Sequence, residues 1–393
     1  LPVFLLFAMA FGQAPAQSGP LQQGLTSLRD GKLAEARASF EKALQQNPRN
    51  AFGWVSLAET CRRLGDSKAA NEAAYKAETF GAGNPVIDHG LAMYFAKAGQ
   101  FGRAAELEQK FAGSGYADAE AEERVAGLFL DAGRLPEALA AAEKAAAQHP
   151  MPGAEDVLGR ALIATGKTDE GEEHLRLAWD GGKTDSRLTF DYAQALLRRQ
   201  DFSKAADVLS TALESHADDP QLVLALGVAR YGQRRFDDAI AAFLRVIRLD
   251  PQVEQPYIFL GKMLDQAGAH LEEITAAYER WSAQNPRNAE GLLLLAKARL
   301  AGNSKDPTAE NLLRRSINLD ARNWEAHYEL GVLLEGKHDW PEAAAELKRS
   351  AALDEKQAMP HYHLARVYDR LGEEEKAKAE RALHEKLTGG GEK

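Results

Sequence analysis

Between Asp219 and Pro251 the chain reads DPQLVLALGVARYGQRRFDDAIAAFLRVIRLDP, with apolar or small residues recurring at i, i+3, i+4 and i+7. That period gathers them on one face of a helix. Val223, Leu226, Gly227 and Arg230 mark the first face, and Ala239, Ile240, Phe243, Val246 and Ile247 mark the second. Asp-Pro stands at both ends, which writes a helix boundary into each. The pattern predicts two amphipathic helices joined by a tight turn. A hairpin of this size cannot bury its own apolar faces and needs neighbours.

The neighbours follow from register. Ala239 has counterparts at Ala36, Ala70, Ala104, Ala138, Gly171, Ala205, Ile274, Ala309, Ala343 and Ala377. By subtraction the steps along that series are 34, 34, 34, 33, 34, 34, 35, 35, 34 and 34 residues. Gly227 belongs to a second series: Gly24, Ala58, Ala92, Ala126, Gly159, Ala193, Gly261, Ala296, Gly331 and Ala365. Every member of the second series is Gly or Ala. Small residues are required there because two helices cross closely, and a larger side chain would push the backbones apart.

This period, with Trp54, Leu57, Ala58, Cys61 and Ala70 in one copy and Leu226, Gly227, Ala239, Phe243 and Pro251 in another, resembles the tetratricopeptide repeat, or TPR. Tyr257, Leu260, Gly261, Leu264, Tyr278 and Pro286 continue it, and the first copy offers Gly24, Ala36, Phe40, Ala43 and Pro48. The resemblance implies an all-α fold, a right-handed superhelical solenoid of about eleven helix-turn-helix repeats. The expected copies span about 17–50, 51–84, 85–118, 119–151, 152–185, 186–219, 220–253, 254–288, 289–323, 324–357 and 358–387. Three depart from the pattern. The third ends in Gly113-Ser114-Gly115 without a closing proline, and the eighth has an extra residue near Ala269-His270 and Ile274 where a small residue belongs. The ninth has an expanded turn from Gly302 to Pro307. The last second helix is dense in charge, as a terminal cap requires. Residues 388–393, with three consecutive glycines, are expected to form a disordered tail.

Composition adds limits. Alanine and leucine are abundant and β-branched residues sparse, which favours helix. The net charge of -10 disfavours nucleic acid or an anionic membrane as main partner. Cys61 is the single cysteine, so no intramolecular disulfide exists. Leu1 to Phe11 is an apolar run, followed by Ala14-Pro15-Ala16 in the small-x-small form of a signal-peptidase site. The run is too short to span a bilayer as a helix, and no integral span is expected in the mature chain. Residues 1–16 are therefore expected to direct export to a periplasmic or secreted location, with cleavage near Ala16. The competing reading is an apolar helix of the mature fold. The export signal and the absence of any N-x-S/T site point to a bacterial origin.

Candidate chemistry is thin. Ala161 to Thr168, ALIATGKT, fits a loose phosphate-loop pattern, but that chemistry needs a glycine-rich loop between a strand and a helix. Here the segment falls on a helix end and Gly166 on the hairpin turn. His361 and His363 are two apart and point to different faces of a helix. His327 and His361 share a register position that normally packs against the partner helix, so satisfied, partly buried histidines are expected there. No metal ligand set, cofactor site or catalytic constellation emerges, and the chain is not expected to be an enzyme. Cys61 stands where an aromatic usually packs and is expected to be a small buried hydrophobe.

What remains is a surface. In TPR proteins the first helix of each copy lines a concave groove with a stripe distinct from its packing face, at positions four and seven apart. The resemblance carries that stripe onto Phe190, Gln194 and Leu197; Leu224, Val228 and Tyr231; Ile258, Lys262 and Asp265; and Leu293, Lys297 and Leu300. Tyr328, Val332 and Glu335, then Tyr362, Arg366 and Asp369, complete it. The earlier copies are mixed: Val55, Glu59 and Arg62; His89 and Met93; Glu123; Asp156, Arg160 and Ile163. Phe190, Gln194, Tyr231, Ile258, Lys262, Lys297, Tyr328, Tyr362 and Arg366 are the candidate partner-binding residues. Leu224, Val228 and Leu293 are equally compatible with burial between copies. The lysine-plus-asparagine clamp of chaperone-binding TPRs is missing, since none of the stripe positions is asparagine. The expected function is a scaffold for protein or peptide ligands. The alternatives are a recruiting subunit of an envelope enzyme complex and a carbohydrate or small-ligand binder. Intact-mass analysis of the exported protein is expected to show a chain beginning near Gln17; a mature chain that retains Leu1 would overturn the export reading.

Overall fold

Several helix starts in this chain are set by capping side chains. The Asp219 carboxylate accepts from the backbone N–H groups of Gln221 at 2.9 Å and Leu222 at 3.3 Å, and Pro220 follows as the first helical residue. Asn50, Asp66, Asn84, Asp201, Asn288, Asn323 and Asp339 cap other helices in the same way. The Asp-Pro boundaries of the central unit are thus a cap and a first helical residue at one end, and a C-cap at Asp250 at the other.

The computed structural model describes residues 19–389. Two compact units divide the chain, Leu1–Ala195 and Leu196–Lys393. The first contains α1 (Pro20–Arg29), α2 (Leu33–Gln46), α3 (Ala51–Arg63), α4 (Ser67–Phe80), α5 (Pro85–Lys97), α6 (Phe101–Ala112), α7 (Ala121–Asp131), α8 (Leu135–Gln148), α9 (Pro152–Ala164) and α10 (Thr168–Gly181). The division falls within α11 (Ser186–Arg198). The second contains α12 (Phe202–Leu213), α13 (Pro220–Gly232), α14 (Phe236–Leu249), α15 (Gln255–Gly261), α16 (Leu271–Gln284) and α17 (Ala289–Gly302). It continues with α18 (Ala309–Leu319), α19 (Trp324–Gly336), α20 (Trp340–Leu353), α21 (Ala358–Leu371) and α22 (Glu374–Gly389). No strand occurs among the described residues. Each odd-numbered helix begins a repeat and the next even-numbered helix completes it, so among the described residues the fold is all-α, its twenty-two helices running as eleven consecutive pairs.

Within each unit both small-residue series lie where the two helices of a hairpin cross, and every member is buried. In the central hairpin a Cβ on Gly227 would sit 2.7 Å from a ring carbon of Phe243. The fifth hairpin is tighter still, because both crossing residues are glycine. A Cβ on Gly159 would meet the carbonyl oxygen of Gly171 at 2.7 Å, and one on Gly171 would meet that of Gly159 at 2.6 Å. Where the crossing residue is large the hairpin changes shape. Ile274 is fully buried in the eighth copy, and there the first helix stops at Gly261 and gives way to two short 3-10 turns, Leu264–Gln266 and Gly268–His270. The Tyr278 hydroxyl donates to the Tyr257 carbonyl at 2.7 Å across this hairpin.

Nine of the turns share one backbone conformation. Gly31, Gly65, Gly99, Gly133, Gly166 and Gly372 occupy it at positive φ, and Gln200, Arg234 and His338 adopt it without being glycine. The ninth turn is expanded as its sequence indicates, with α17 ending at Gly302 and α18 beginning at Ala309. The last helix takes in Thr388 and Gly389, which the glycine pattern assigned to a tail; Thr388 closes it through a hydroxyl bond to the His384 carbonyl at 2.9 Å. The signal-like segment 1–16 and the final four residues lie outside the described residues.

The crossings yield a direct test. Gly159→Ala overpacks backbone against backbone and is expected to destabilise by about 1–3 kcal/mol. Gly336→Ala, at the exposed end of α19 with nothing within 4 Å of the added Cβ, is expected to be neutral or stabilising by up to about 1 kcal/mol. Thermal melts of both variants decide it, and equal shifts would count against crossing-limited packing.

Candidate functional site

First helices of successive copies pack on one another: α1 with α3, α3 with α5 and α7 with α9 in the first unit, and α15 with α17 and α19 with α21 in the second. Second helices of successive copies make comparable contact only at α14 with α16. The first helices are therefore the closer-packed layer within each unit. The predicted stripe lies on this inner layer.

In the first unit the stripe is dominated by charge. Arg62 grips Glu59 with two nitrogens at 2.8 and 2.9 Å. His89 lies 2.7 Å from Glu108 and stacks on Phe111, so it belongs to the hairpin interior. Asp156 is fully buried; Arg187 of the next copy reaches it at 2.6 Å, and Arg160 stands 3.7 Å away. Burial first, then the neighbouring Asp191 carboxylate, push the Asp156 carboxyl well above the usual carboxylate range despite the two arginines. Glu123 sits 3.7 Å from Arg187 and is also pushed up by burial. Phe190 and Gln194 are half-buried on α11, beside this cluster in sequence.

In the second unit the stripe positions differ from one another. Ile258, Lys262, Tyr362 and Arg366 are exposed, with Ile258 at 37 % and Tyr362 at 42 %. Leu293, at the same register position as Ile258, is completely buried, and Leu224 and Val228 are half-buried against the same core. Tyr231 is half-buried too, its ring edge-on to Phe236 and Phe259 at 5.9 and 5.7 Å. Lys297 bonds Glu325 of the next copy and is partly buried. The Tyr328 hydroxyl bonds His363 Nε2 at 3.3 Å, while His363 Nδ1 lies 2.5 Å from Glu335. Arg366 approaches the other oxygen of Glu335 at 3.2 Å, and its guanidinium lies 5.7 Å from the Tyr362 ring. The structure thus joins Tyr328, Tyr362 and Arg366 through His363 and Glu335. Phe190 and Gln194 belong to the other unit, and Tyr231 serves packing more than presentation.

A second row beside the stripe escaped sequence reasoning. Arg187, Glu290 and Glu325 stand six residues before the crossing Gly or Ala of their copies, and Asp191, Glu329 and His363 stand two before it. The two sets are four residues apart on the same helices, and charged residues on otherwise apolar first helices were the available signal. Glu329 is the least satisfied of them. Partly buried and without a hydrogen bond or ion pair, it is pushed up to about 7 by burial, with Glu325 and Asp265 adding to the rise and Lys297 opposing it. Glu290 is raised by burial and by Glu325.

The remaining motifs resolve simply. Ala161 to Ala164 end α9, Gly166 makes the turn at φ 90°, and Thr168 begins α10, so no strand precedes the phosphate-loop-like run. His327 Nδ1 lies 2.5 Å from Glu346 and its Nε2 3.2 Å from the Ala321 carbonyl; His361 lies 2.6 Å from Glu380 and His174 2.6 Å from Glu155. These three pairs occupy equivalent positions and clasp the two helices of their hairpins. Glu346 is held below the usual carboxylate range by His327. Among the described residues no group of three or more His, Cys, Asp or Glu is placed to hold a metal ion, and no helix is long and apolar enough to cross a membrane. Cys61 is buried, which pushes its thiol up.

The family described as "Tetratricopeptide repeat" matches residues 21–85, 157–220, 190–254 and 224–289. No curated protein matches the chain in sequence. Among solved structures the chain is similar to the APC/C hetero-tetramer Cut9-Hcn1, at 14 % identity and TM-score 0.44, covering 99 % of this chain and 96 % of that one. Yeast Tom70 is similar at 15 % identity and TM-score 0.41, covering 94 % and 91 %. The C-terminal part of a TPR repeat-containing protein from Cytophaga hutchinsonii is similar at 17 % identity and TM-score 0.43, covering 70 % and 98 %.

Glu329 gives this surface a pH signature. The folded protein keeps on Glu329 a proton that the unfolded chain releases near its ordinary value of about 4.3. Its contribution is therefore complete below that value and is lost as pH rises towards about 7. Relative to Glu329→Gln, the wild type is expected to lose on the order of 2 kcal/mol between pH 4 and pH 8, allowing for partial solvent screening. Denaturant melts across that range test it, and parallel pH profiles for the two proteins would refute the assignment.

Proposed function

The chain belongs to the tetratricopeptide repeat family, and on that premise we propose that it is an exported, non-enzymatic scaffold that holds protein segments on its inner helix layer. Proteins of this family bind protein partners, and the surface that suits the task best here is on the second unit. The carrying observation is the contrast along one register position: Ile258 and Tyr362 are exposed where Leu293 is sealed. Exposed apolar and aromatic side chains beside Lys262 and Arg366 form the mixed surface on which interfaces are anchored.

Charge narrows the ligand. Asp265, Glu290, Glu325, Glu329 and Glu335 outnumber Lys262, Lys297 and Arg366 on these helices. Glu335 and Glu325 are already paired, whereas Glu329 has no partner. A peptide carrying one cation and flanking apolar side chains would satisfy Glu329 and cover Ile258 and Tyr362. The apolar run from Leu1 to Phe11 and the small-x-small motif after it support export, which places such partners in the cell envelope or outside it.

Tyr231 and Tyr328 are poor test positions, since both contribute to packing or to internal hydrogen bonds. A photo-crosslinking amino acid at Tyr362, used in extracts of the native host, is expected to trap a partner that the same group at exposed Lys348 on α20 does not. Adding Ile258→Asp and Arg366→Glu should abolish the crosslink while leaving the helical circular dichroism intact. Equal trapping from Lys348, or undiminished trapping in the double variant, would discard the inner-layer reading.

A further inference from the structure

The chain is acidic overall, yet one open pocket on the second unit is ringed by arginine. It lies between α13 and α14, measures about 430 Å³, and is lined by Arg230, Arg235, Arg245 and Arg248 against one carboxylate, Asp238. Its floor is apolar, made by Val223 and Leu226 on α13 and by two alanines on α14. Alanines at those positions leave open a space that larger side chains would fill. Val223, Leu226 and Arg230 are not the stripe residues of α13, which are Leu224, Val228 and Tyr231. The pocket therefore uses a different face of the same helix.

The arginines are held loosely. Arg230 donates to Gln233 at 3.0 Å, a neutral partner. Arg235 pairs with Asp238 at 2.6 Å and Arg248 with Glu273 at 2.7 Å, both from largely exposed side chains. Arg245 donates to the Ala217 carbonyl at 2.6 Å and reaches the highly exposed Asp218 only at 3.4 Å. Exposed pairs of this kind contribute little and exchange readily for a competing anion. Guanidinium groups recognise carboxylates with two parallel hydrogen bonds and are common anchors at interfaces.

We infer that this pocket docks an acidic, extended segment of a partner protein, with one apolar side chain on the floor and flanking carboxylates on the arginines. The arginines come from α13, the hairpin turn and two positions of α14, so they surround the floor without converging on one point. A single phosphate would engage one or two of them and leave the apolar floor wet. A segment engages both features at once. This site is independent of the inner-layer reading and stands if that reading fails.

The probe is a fluorescein-labelled heptapeptide of six glutamates around a central leucine, titrated with the full chain at low salt and read by fluorescence anisotropy. Saturable binding is expected, weakened at least about tenfold by Arg245→Glu with Arg248→Glu and unchanged by Arg366→Glu on the inner layer. Replacing the peptide leucine with alanine is expected to weaken binding about fivefold. Ala242→Leu, which fills the floor and keeps every charge, should also weaken it, and it serves if the charge-reversed variant does not fold. Absence of saturable binding would overturn the proposal. So would equal loss in Arg366→Glu, indifference to the leucine, or displacement by inorganic phosphate at similar concentration, which would mark a small-anion site.

Discussion

Everything in this fold depends on how closely two helices can cross. The hairpin exists because one residue on each helix is small enough to let the backbones approach, and the second helix then closes over the first. The fifth copy, with Gly159 and Gly171 facing each other's carbonyl oxygens, is the limiting case. The eighth shows the converse, since Ile274 takes the crossing position and α-helical hydrogen bonding in the first helix ends at Gly261. Dispersion and apolar burial supply most of the favourable free energy, but they act only at contact distance. A crossing held open by one methyl group would weaken the packing of both flanking faces.

Once the crossings are fixed, polar pairs divide into two kinds. Within hairpins, His327 with Glu346, His361 with Glu380 and His174 with Glu155 clasp equivalent positions of the two helices. Between copies, Arg187 with Asp156, Lys297 with Glu325 and Glu335 with His363 fasten neighbouring first helices. Partly buried pairs of this sort pay desolvation as well as gaining attraction, so each adds more to the choice of neighbour than to net stability. The inner layer is therefore the fastening between copies and, on the proposed function, the surface a ligand would meet. A ligand that recruited one of its charges would loosen a contact between repeats, which would tie binding to the packing of the array.

The periodicity made the hairpins, their number and their turns readable, because each depends on residues within a single copy. Gly166 could be assigned to a turn for the same reason, and Cys61 to the interior. Exposure along the inner stripe could not be read in this way. Leu224, Ile258, Leu293, Tyr328 and Tyr362 share one register position, yet they range from sealed to open. Tyr328, for one, is covered by His363 of the next copy, 35 residues on in sequence, whose size and direction leave no mark on the local pattern around Tyr328. The same blindness hid the charged row at Arg187, Asp191, Glu325, Glu329 and His363, which acquires meaning only when two copies are set side by side.

Formal charge is a poor guide to this surface for a related reason. The net charge of -10 counts every carboxylate as ionised, yet burial holds Asp156 and Glu329 partly in the neutral form. Two carboxylates of the inner layer are thus weakened acids, while Glu346, clasped by a histidine, is a stronger one. A cation arriving at Glu329 would have to displace a proton before gaining a full charge to pair with. Recognition on this face, under the proposed function, would therefore be linked to pH through the same burial that shapes it. The arginine pocket lies on a different face of α13 and uses neither of these carboxylates, so the two surfaces of the second unit are chemically separate.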